Sequence, residues 1–458
     1  MVKNPITLLF AAVYLCFPAL AGTFFPPPPV KPGENNGENI QRTMTLLATS
    51  TPEKRNKVRI LFYGQSITNQ EWTKFVSEDL RKRFPNADLE IENKSLGGFA
   101  SQILVRIAEH DVYPFYPDLV IFHVYGANNT YEEIIANIRK RTTAEVVMQR
   151  DHVTQWPPEK PDQKKDGGMW WDHMMNNVFL PDYAKKYGCG LVDIRGQWLE
   201  YLKTNSLEPK ALLSDNVHLN EHGNYLLGEL VKRYLVYKPE LPADSWKELV
   251  KTYEVGKDVQ WKDGKLQLEF DGNRVDMIAD KGEGTADVRI DGKKPSEFPE
   301  LYVITRPSNS QTGFWPAILR VSWEKPLQLE DWTLKIIETN PEATKFSFEL
   351  SGSKTGPDGS GTNETKFVSK SGRAIIEPGD WWVKNAYQIT KKPLTNGFQI
   401  KWSVKPMFVD TYQAPKVEDP SREVVTTLAQ GLSNGKHTLE LSGKAPIKAI
   451  RVYRPPYK

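Results

Sequence analysis

Cysteine is almost missing from this chain: only Cys16 and Cys189 occur in 458 residues. If the leader that holds Cys16 is removed, the single thiol left has no partner, which excludes an internal disulfide. Histidine is scarce too, at 7, and no Cys/His cluster has the spacing of a structural zinc site. Charge of one sign is lacking: 60 Lys and Arg against 57 Asp and Glu leave a formal +3, with both signs mixed along the chain. That balance gives no electrostatic reason to expect nucleic acid or a membrane surface as partner. Long apolar runs are confined to the first residues. There, Lys3 precedes an apolar stretch from Ile6 to Leu20, and Ala19-Leu20-Ala21 follows the small-x-small rule of a cleavage site. The stretch is too short for a comfortable membrane span, so residues 1–21 are expected to be a cleaved export signal and the mature chain to carry no transmembrane segment. Val13, Tyr14 and Leu15 are too bulky for a lipobox before Cys16. The expected location is secreted or periplasmic.

What the chain does have is aromatic surface, with 13 Trp and 18 Tyr, many in the second half. It also has a sharp change of rhythm. Residues 22–50, beginning "GTFFPPPPVKPGENNGEN", read as a proline-rich and polar linker. From about Lys57 short apolar runs alternate with amphipathic stretches. "VRILFYG" (58–64), "ADLEIEN" (87–93), "PDLVIFHVYG" (117–126), "TAEVVMQR" (143–150) and "GCGLVDIR" (188–195) predict strands. Residues 71–84, 100–110, 130–141 and 219–235 predict helices, the first with Trp72, Phe75, Val76 and Leu80 on one face. Such alternation, with continuously apolar strands, predicts a parallel sheet covered on both faces over residues 51–240. Beyond about Trp246 the period becomes two, in runs at 265–270, 286–291, 317–323, 345–350, 398–404 and 436–441. This predicts a C-terminal all-β sandwich region over 246–458, with 306–412 as a second module inserted into the first and 351–364 as a flexible loop.

Ligands of an open parallel sheet bind beyond the carboxyl ends of its strands, so the residues there belong together. The first strand ends at Gly64-Gln65-Ser66. The second is followed by "NKSLGGFAS" (93–101), the third by "GANN" (126–129), and the last helix is preceded by "SDNVHLN" (214–220). A serine after a strand is commonly the cap of the next helix; the glycine pair, the asparagine and the DxxH pair each have an equally ordinary turn or solvent role. Their joint occurrence at one end of one sheet favours a catalytic reading.

In these four stretches the chain resembles the SGNH or GDSL-like hydrolases, over about residues 57–236. The resemblance implies a flavodoxin-like three-layer α/β/α sandwich. It implies Ser66 as nucleophile, His218 as general base, Asp215 as its acid, and an oxyanion hole from Ser66, Gly98 and Asn128, with no cofactor and no metal. The pattern departs at Gln65, where the family has an acid, and at Asn129. A "GQSN" turn in sialate-type O-acetylesterases of the same superfamily is a precedent for the first. Both changes replace a carboxylate by an amide, which together with Arg150 would suit an acidic or sulfated sugar; the plain alternative is a structural Gln65 and an Arg150 paired with a nearby acid.

The polar insertion at 151–177 brings His152, Trp156, Trp170, Trp171 and His173, with His152 and Trp156 taken as substrate-binding candidates and the alternative of a lid packed on its own domain left open. His110, His123 and His222 read as structural, and His437 has no visible partner. "TGFWPAI" (312–318) and "GDWWVKN" (379–385) would serve either a glycan surface or a core. The resulting expectation is an exported esterase that removes acyl, chiefly acetyl, groups from an oligo- or polysaccharide. A lipase or lysophospholipase of the same superfamily, a non-catalytic glycan-binding protein and a glycosidase stand as alternatives.

Overall fold

The computed structural model describes residues 25–29, 36–243, 248–308, 315–391 and 394–458, and in 383–390 the helix without the side chains of residues 386, 387, 389 and 390. The leader lies outside these residues, as do parts of the linker and of the 312–318 stretch. Among the described residues no helix is long and apolar enough to cross a membrane.

The first half alternates as its sequence rhythm predicts. It runs α1 (Gln41–Ala48), β1 (Lys57–Gly64), α2 (Trp72–Arg83), β2 (Asp88–Asn93), α3 (Ser101–Asp111), β3 (Leu119–His123), α4 (Asn128–Arg141) and β4 (Glu145–Gln149). There follow α5 (Gln163–Met174), α6 (Leu180–Tyr187), β5 (Gly190–Val192), α7 (Ile194–Thr204) and α8 (Glu221–Tyr234). The five strands form one parallel sheet in the order β2-β1-β3-β4-β5. Alternate residues of β1 feed two cores. Val58, Ile60 and Phe62 meet α1, α2, α7 and α8 on one face, while Leu61 and Tyr63 meet α3, α4 and α6 on the other. The protein is therefore a three-layer α/β/α sandwich in this half. Its strand order reverses between β1 and β3, so the ligand crevice of such a sheet lies at their carboxyl ends.

The second half is all-β and antiparallel apart from short helical pieces. It comprises β6 (Val250–Glu254), β7 (Lys265–Ala279), β8 (Thr285–Ile290), β9 (Tyr302–Ile304), β10 (Asp331–Thr339), β11 (Phe346–Gly352), β12 (Gly356–Thr362), β13 (Phe367–Val368) and β14 (Ile375–Ile376). The helix α9 (Val383–Thr390) precedes β15 (Gln399–Pro406), β16 (Thr411–Gln413), β17 (Val425–Lys444) and β18 (Ile447–Tyr453). One six-stranded sheet has the order β16-β8-β17-β7-β18-β6. A five-stranded sheet, β12-β11-β10-β15-β9, is built wholly from chain lying between β8 and β16. Each has its own apolar core.

Three expectations need correction. The 22–50 stretch is not a free linker throughout: Ile40, Met44 and Leu47 of the segment containing α1 are buried in the first core, and Phe25 stacks on His222 at 4.1 Å. An apolar residue every third or fourth position drives that docking, and the preceding prolines hid it. The supposed flexible loop 351–364 is a hairpin instead, with β12 paired to β11. Its glycines are what allow the fit, since a side chain on Gly361 would begin 2.9 Å from the Phe367 ring. The run at 317–323 forms no strand, only single bridges from Ile318 to Trp381 and Ser322 to Ile375.

Candidate functional site

Ser66 does not cap a helix. The chain turns through residues 65–69, with Asn69 N–H donating to Gln65 O and Ser66 O, and α2 begins only at Trp72. Gly64 makes that turn possible: a side chain there would start 2.0 Å from the His123 carbonyl oxygen. Thr68 Oγ1 donates to the same carbonyl at 3.2 Å. From β2, Asn93 Nδ2 reaches over to Thr68 O at 2.8 Å, so the loops after β1 and β2 are stitched together around Ser66.

The next loop carries the glycine pair. Gly98 adopts φ 76°, the left-handed region that an L side chain resists. Gly97 lies against Ser66: the first atom of a side chain there would sit 3.5 Å from Ser66 Cβ. Among the described residues the amides of Ser66 and Gly98 are held by no hydrogen-bond acceptor of the protein, which leaves both N–H groups for a ligand oxygen. Asn128 opens α4 and gives one Nδ2 hydrogen to Tyr183 Oη at 3.2 Å; an amide has a second to offer.

His218 stands on a tight turn closed by the Leu213–Leu219 bridge and by Ser214 N–H to His218 O at 2.8 Å. Its Nδ1 faces Asp215 Oδ2 at 2.7 Å, while Asp215 Oδ1 accepts the amides of Val217 and His218, both at 2.7 Å. These hydrogen bonds, the His218 amide first and its ring next, hold the Asp215 carboxyl down at about 2 although it is exposed. An ionised carboxylate oxygen only accepts, so Nδ1 of His218 carries the proton of that bond and Nε2 takes no part in it. No direct hydrogen bond joins Ser66 to His218 in this state. The two loops are instead clamped through Gln70, whose Nε2 donates to Leu219 O and whose Oε1 accepts Leu219 N–H, each at 3.2 Å.

With this geometry described, comparison with known proteins adds little. No family model matches the chain, and no curated protein matches it. Among solved structures, an acetylxylan esterase from Geobacillus stearothermophilus is 19% identical, with a TM-score of 0.35, covering 41% of this chain and 98% of its own. An alpha/beta hydrolase from the metagenome of Lake Arreo, Spain, is 18% identical with a TM-score of 0.33, covering 39% of this chain and 94% of its own. Likeness at this level carries no functional argument.

The remaining predicted site residues divide. Gln65 is buried beside Ser66, and Asn129 is exposed on the first turn of α4. Arg150 pairs with Asp193 at 3.2 Å, the plain alternative to an anion contact. His152, a substrate-binding candidate, is 4% exposed yet lines a cavity shared with Tyr125 and Val217, and its Nε2 lies 2.9 Å from the Val217 carbonyl, where it props the turn that carries His218. Burial lowers it to about 4. Trp156 is exposed and its indole N–H is spent on Glu208 Oε2 at 2.6 Å. His437, thought partnerless, faces Asp291 Oδ2 at 2.7 Å.

The insertion between β4 and β5 folds as α5 and its continuation, over two cavities of about 490 and 380 Å³ that share Tyr125 and Asp172. Val217 lines the larger, and Trp171 the smaller. Along their walls runs a polar chain, buried except at Asp172: His123 to Asp151 at 2.8 Å, Asp151 to Asn176, Asn176 to Asp172, and Asp172 to Arg195. A still larger cavity of about 620 Å³ lies between α3 and the all-β half, lined by His110, Tyr113 and Trp323 and by none of the catalytic candidates. Sequence reasoning missed Gln70 and Asn176. Each is a lone amide in an ordinary polar stretch, and only contacts distant in sequence give it a role.

Proposed function

We propose that this chain is an exported serine esterase that removes acetyl groups from a polysaccharide, with Ser66, His218 and Asp215 as its catalytic residues. The observation that carries the reading is the His218–Asp215 pair at 2.7 Å, held on a turn that Gln70 ties to the serine loop. In this reading Ser66 Oγ attacks the ester carbonyl carbon while His218 Nε2 takes its proton. The tetrahedral oxyanion is held by the amides of Ser66 and Gly98 and by Asn128. It collapses as the sugar alkoxide leaves and receives the proton from His218. Water then repeats the sequence on the acyl-enzyme and releases acetate. Asp215 stays ionised throughout and stabilises the imidazolium.

Acetate release from a panel of acetylated polysaccharides and from an aryl acetate tests this. Wild type is expected to release it, and Ser66→Ala to reduce the rate by at least about 10³-fold. A wild type no faster than Ser66→Ala on every ester would end the esterase reading.

A further inference from the structure

Ser66 has a neighbour from the other half of the molecule. The position where a side chain on Gly97 would begin is 3.5 Å from Ser66 Cβ and 3.7 Å from Trp315 Cη2. The indole edge and the nucleophile therefore flank one small space, kept open by the missing side chain of Gly97. Trp315 belongs to the all-β half and is wedged there: it packs on Phe99 with ring centres 5.0 Å apart, and Trp382 packs on the same ring at 5.5 Å. Phe99 is fully buried and Trp315 partly so.

The two faces of the sheet decide what that space is for. His218 arrives from the face covered by α1, α2, α7 and α8, since Leu213 and Leu219, which bracket its turn, pack in that core. Trp315 packs in the opposite core with α3, α4 and α6. In acyl transfer the leaving oxygen must lie toward the base that protonates it. The carbonyl oxygen is taken by the amide donors. The acyl substituent is then left to point away from His218, toward Trp315.

Resting on the serine-esterase reading, we infer that Trp315 is the wall that limits acyl length. The all-β half thus completes the active site, and it confines the enzyme to acetyl-sized groups. An apolar wall discriminates by size at roughly 10–200-fold per methylene.

Hydrolysis of p-nitrophenyl acetate, butyrate and octanoate tests the inference. Wild type is expected to prefer acetate. Trp315→Ala should shift the kcat/KM ratio toward butyrate by at least about tenfold, and Trp315→Phe, which keeps the packing on Phe99, should shift it less. Gly97→Ala should move the ratio the other way; its methyl meets Ser66 and Trp315 at ordinary contact distances, so folding should survive. A purely structural Trp315 would slow all three esters alike. Ratios unchanged in both Trp315 variants, or a wild type as fast on butyrate as on acetate, with hydrolysis still dependent on Ser66, would overturn the acyl wall and leave the esterase standing. Absence of any Ser66-dependent hydrolysis would remove both.

Discussion

Asp215 accepts two backbone amides on one oxygen and the imidazole on the other. Those bonds give the substitution Asp215→Asn a definite expected outcome. The amide oxygen can still receive the two backbone N–H groups, but the nitrogen that replaces Oδ2 can only donate. His218 must then present an unprotonated Nδ1, and Nε2 loses its capacity as a base. We expect kcat to fall by about 10³–10⁴ with KM little changed, measured on the aryl acetate. Since the carboxyl is held at about 2, no activity change near neutral pH should trace to its titration. Gly98→Ala tests the neighbouring loop. Forcing φ 76° on alanine should cost about 1–2 kcal/mol, read as a lowered denaturant midpoint.

Between residue and molecule, the turn Leu213–Leu219 is an element held by parts that lie far away in the chain. Gln70 grips it from the serine loop, and His152 from the end of β4. Tyr125 Oη lies 3.5 Å from the other nitrogen of His152, at the edge of hydrogen-bonding distance. His152→Ala removes the group facing the Val217 carbonyl and should lower kcat more than it raises KM. His152→Gln keeps a donor and should restore much of the rate. The two variants also separate packing from titration. His152 is lowered by burial to about 4, against about 6.5 in an unfolded chain. Between those values the unfolded chain binds more protons than the folded one, so this group's contribution to stability is whole above about pH 6.5 and is lost as pH falls toward 4. His110, also lowered by burial, adds in the same direction. A series of Tm values across that window should slope less for His152→Gln than for wild type; an unchanged slope would assign the effect to other groups.

Over the whole molecule, the two halves are joined by largely buried polar bonds. Arg306 pairs with Asp111 at 2.6 Å, His110 Nδ1 lies 2.9 Å from Ile304 O, and Tyr116 donates to Asn273 at 2.8 Å. Gln430 Nε2 reaches two carbonyls at the end of α3, those of Tyr113 and Pro114. Leu319 of the all-β half is buried in a core of the α/β half. Removing one partner of a buried ion pair costs about 3–5 kcal/mol, so Asp111→Ala should lower stability by about that much even though it lies far from Ser66. We expect calorimetry of the wild type to show one transition for both halves. Two well-separated transitions would mean that the interface contributes little.

The alternation of apolar strand and amphipathic helix from Lys57 to Tyr234 was legible in the sequence, because each element satisfies its own periodicity locally. The turn residues were legible for the same reason: Gly64, Gly98, Asn128 and the Asp215–His218 pair each sit just after or before such an element. What the sequence left open needed contacts between distant positions. Whether Ser66 capped a helix depended on where α2 began, five residues of turn later. Arg150 was drawn to Asp193, His152 turned inward to Val217, and β12 formed from a glycine-rich run because an aromatic ring occupied the space side chains would need. Trp315 shows the limit most plainly. Its place beside Ser66 follows from the docking of two cores whose residues are hundreds of positions apart, and periodicity carries no information about which surface one core offers to another.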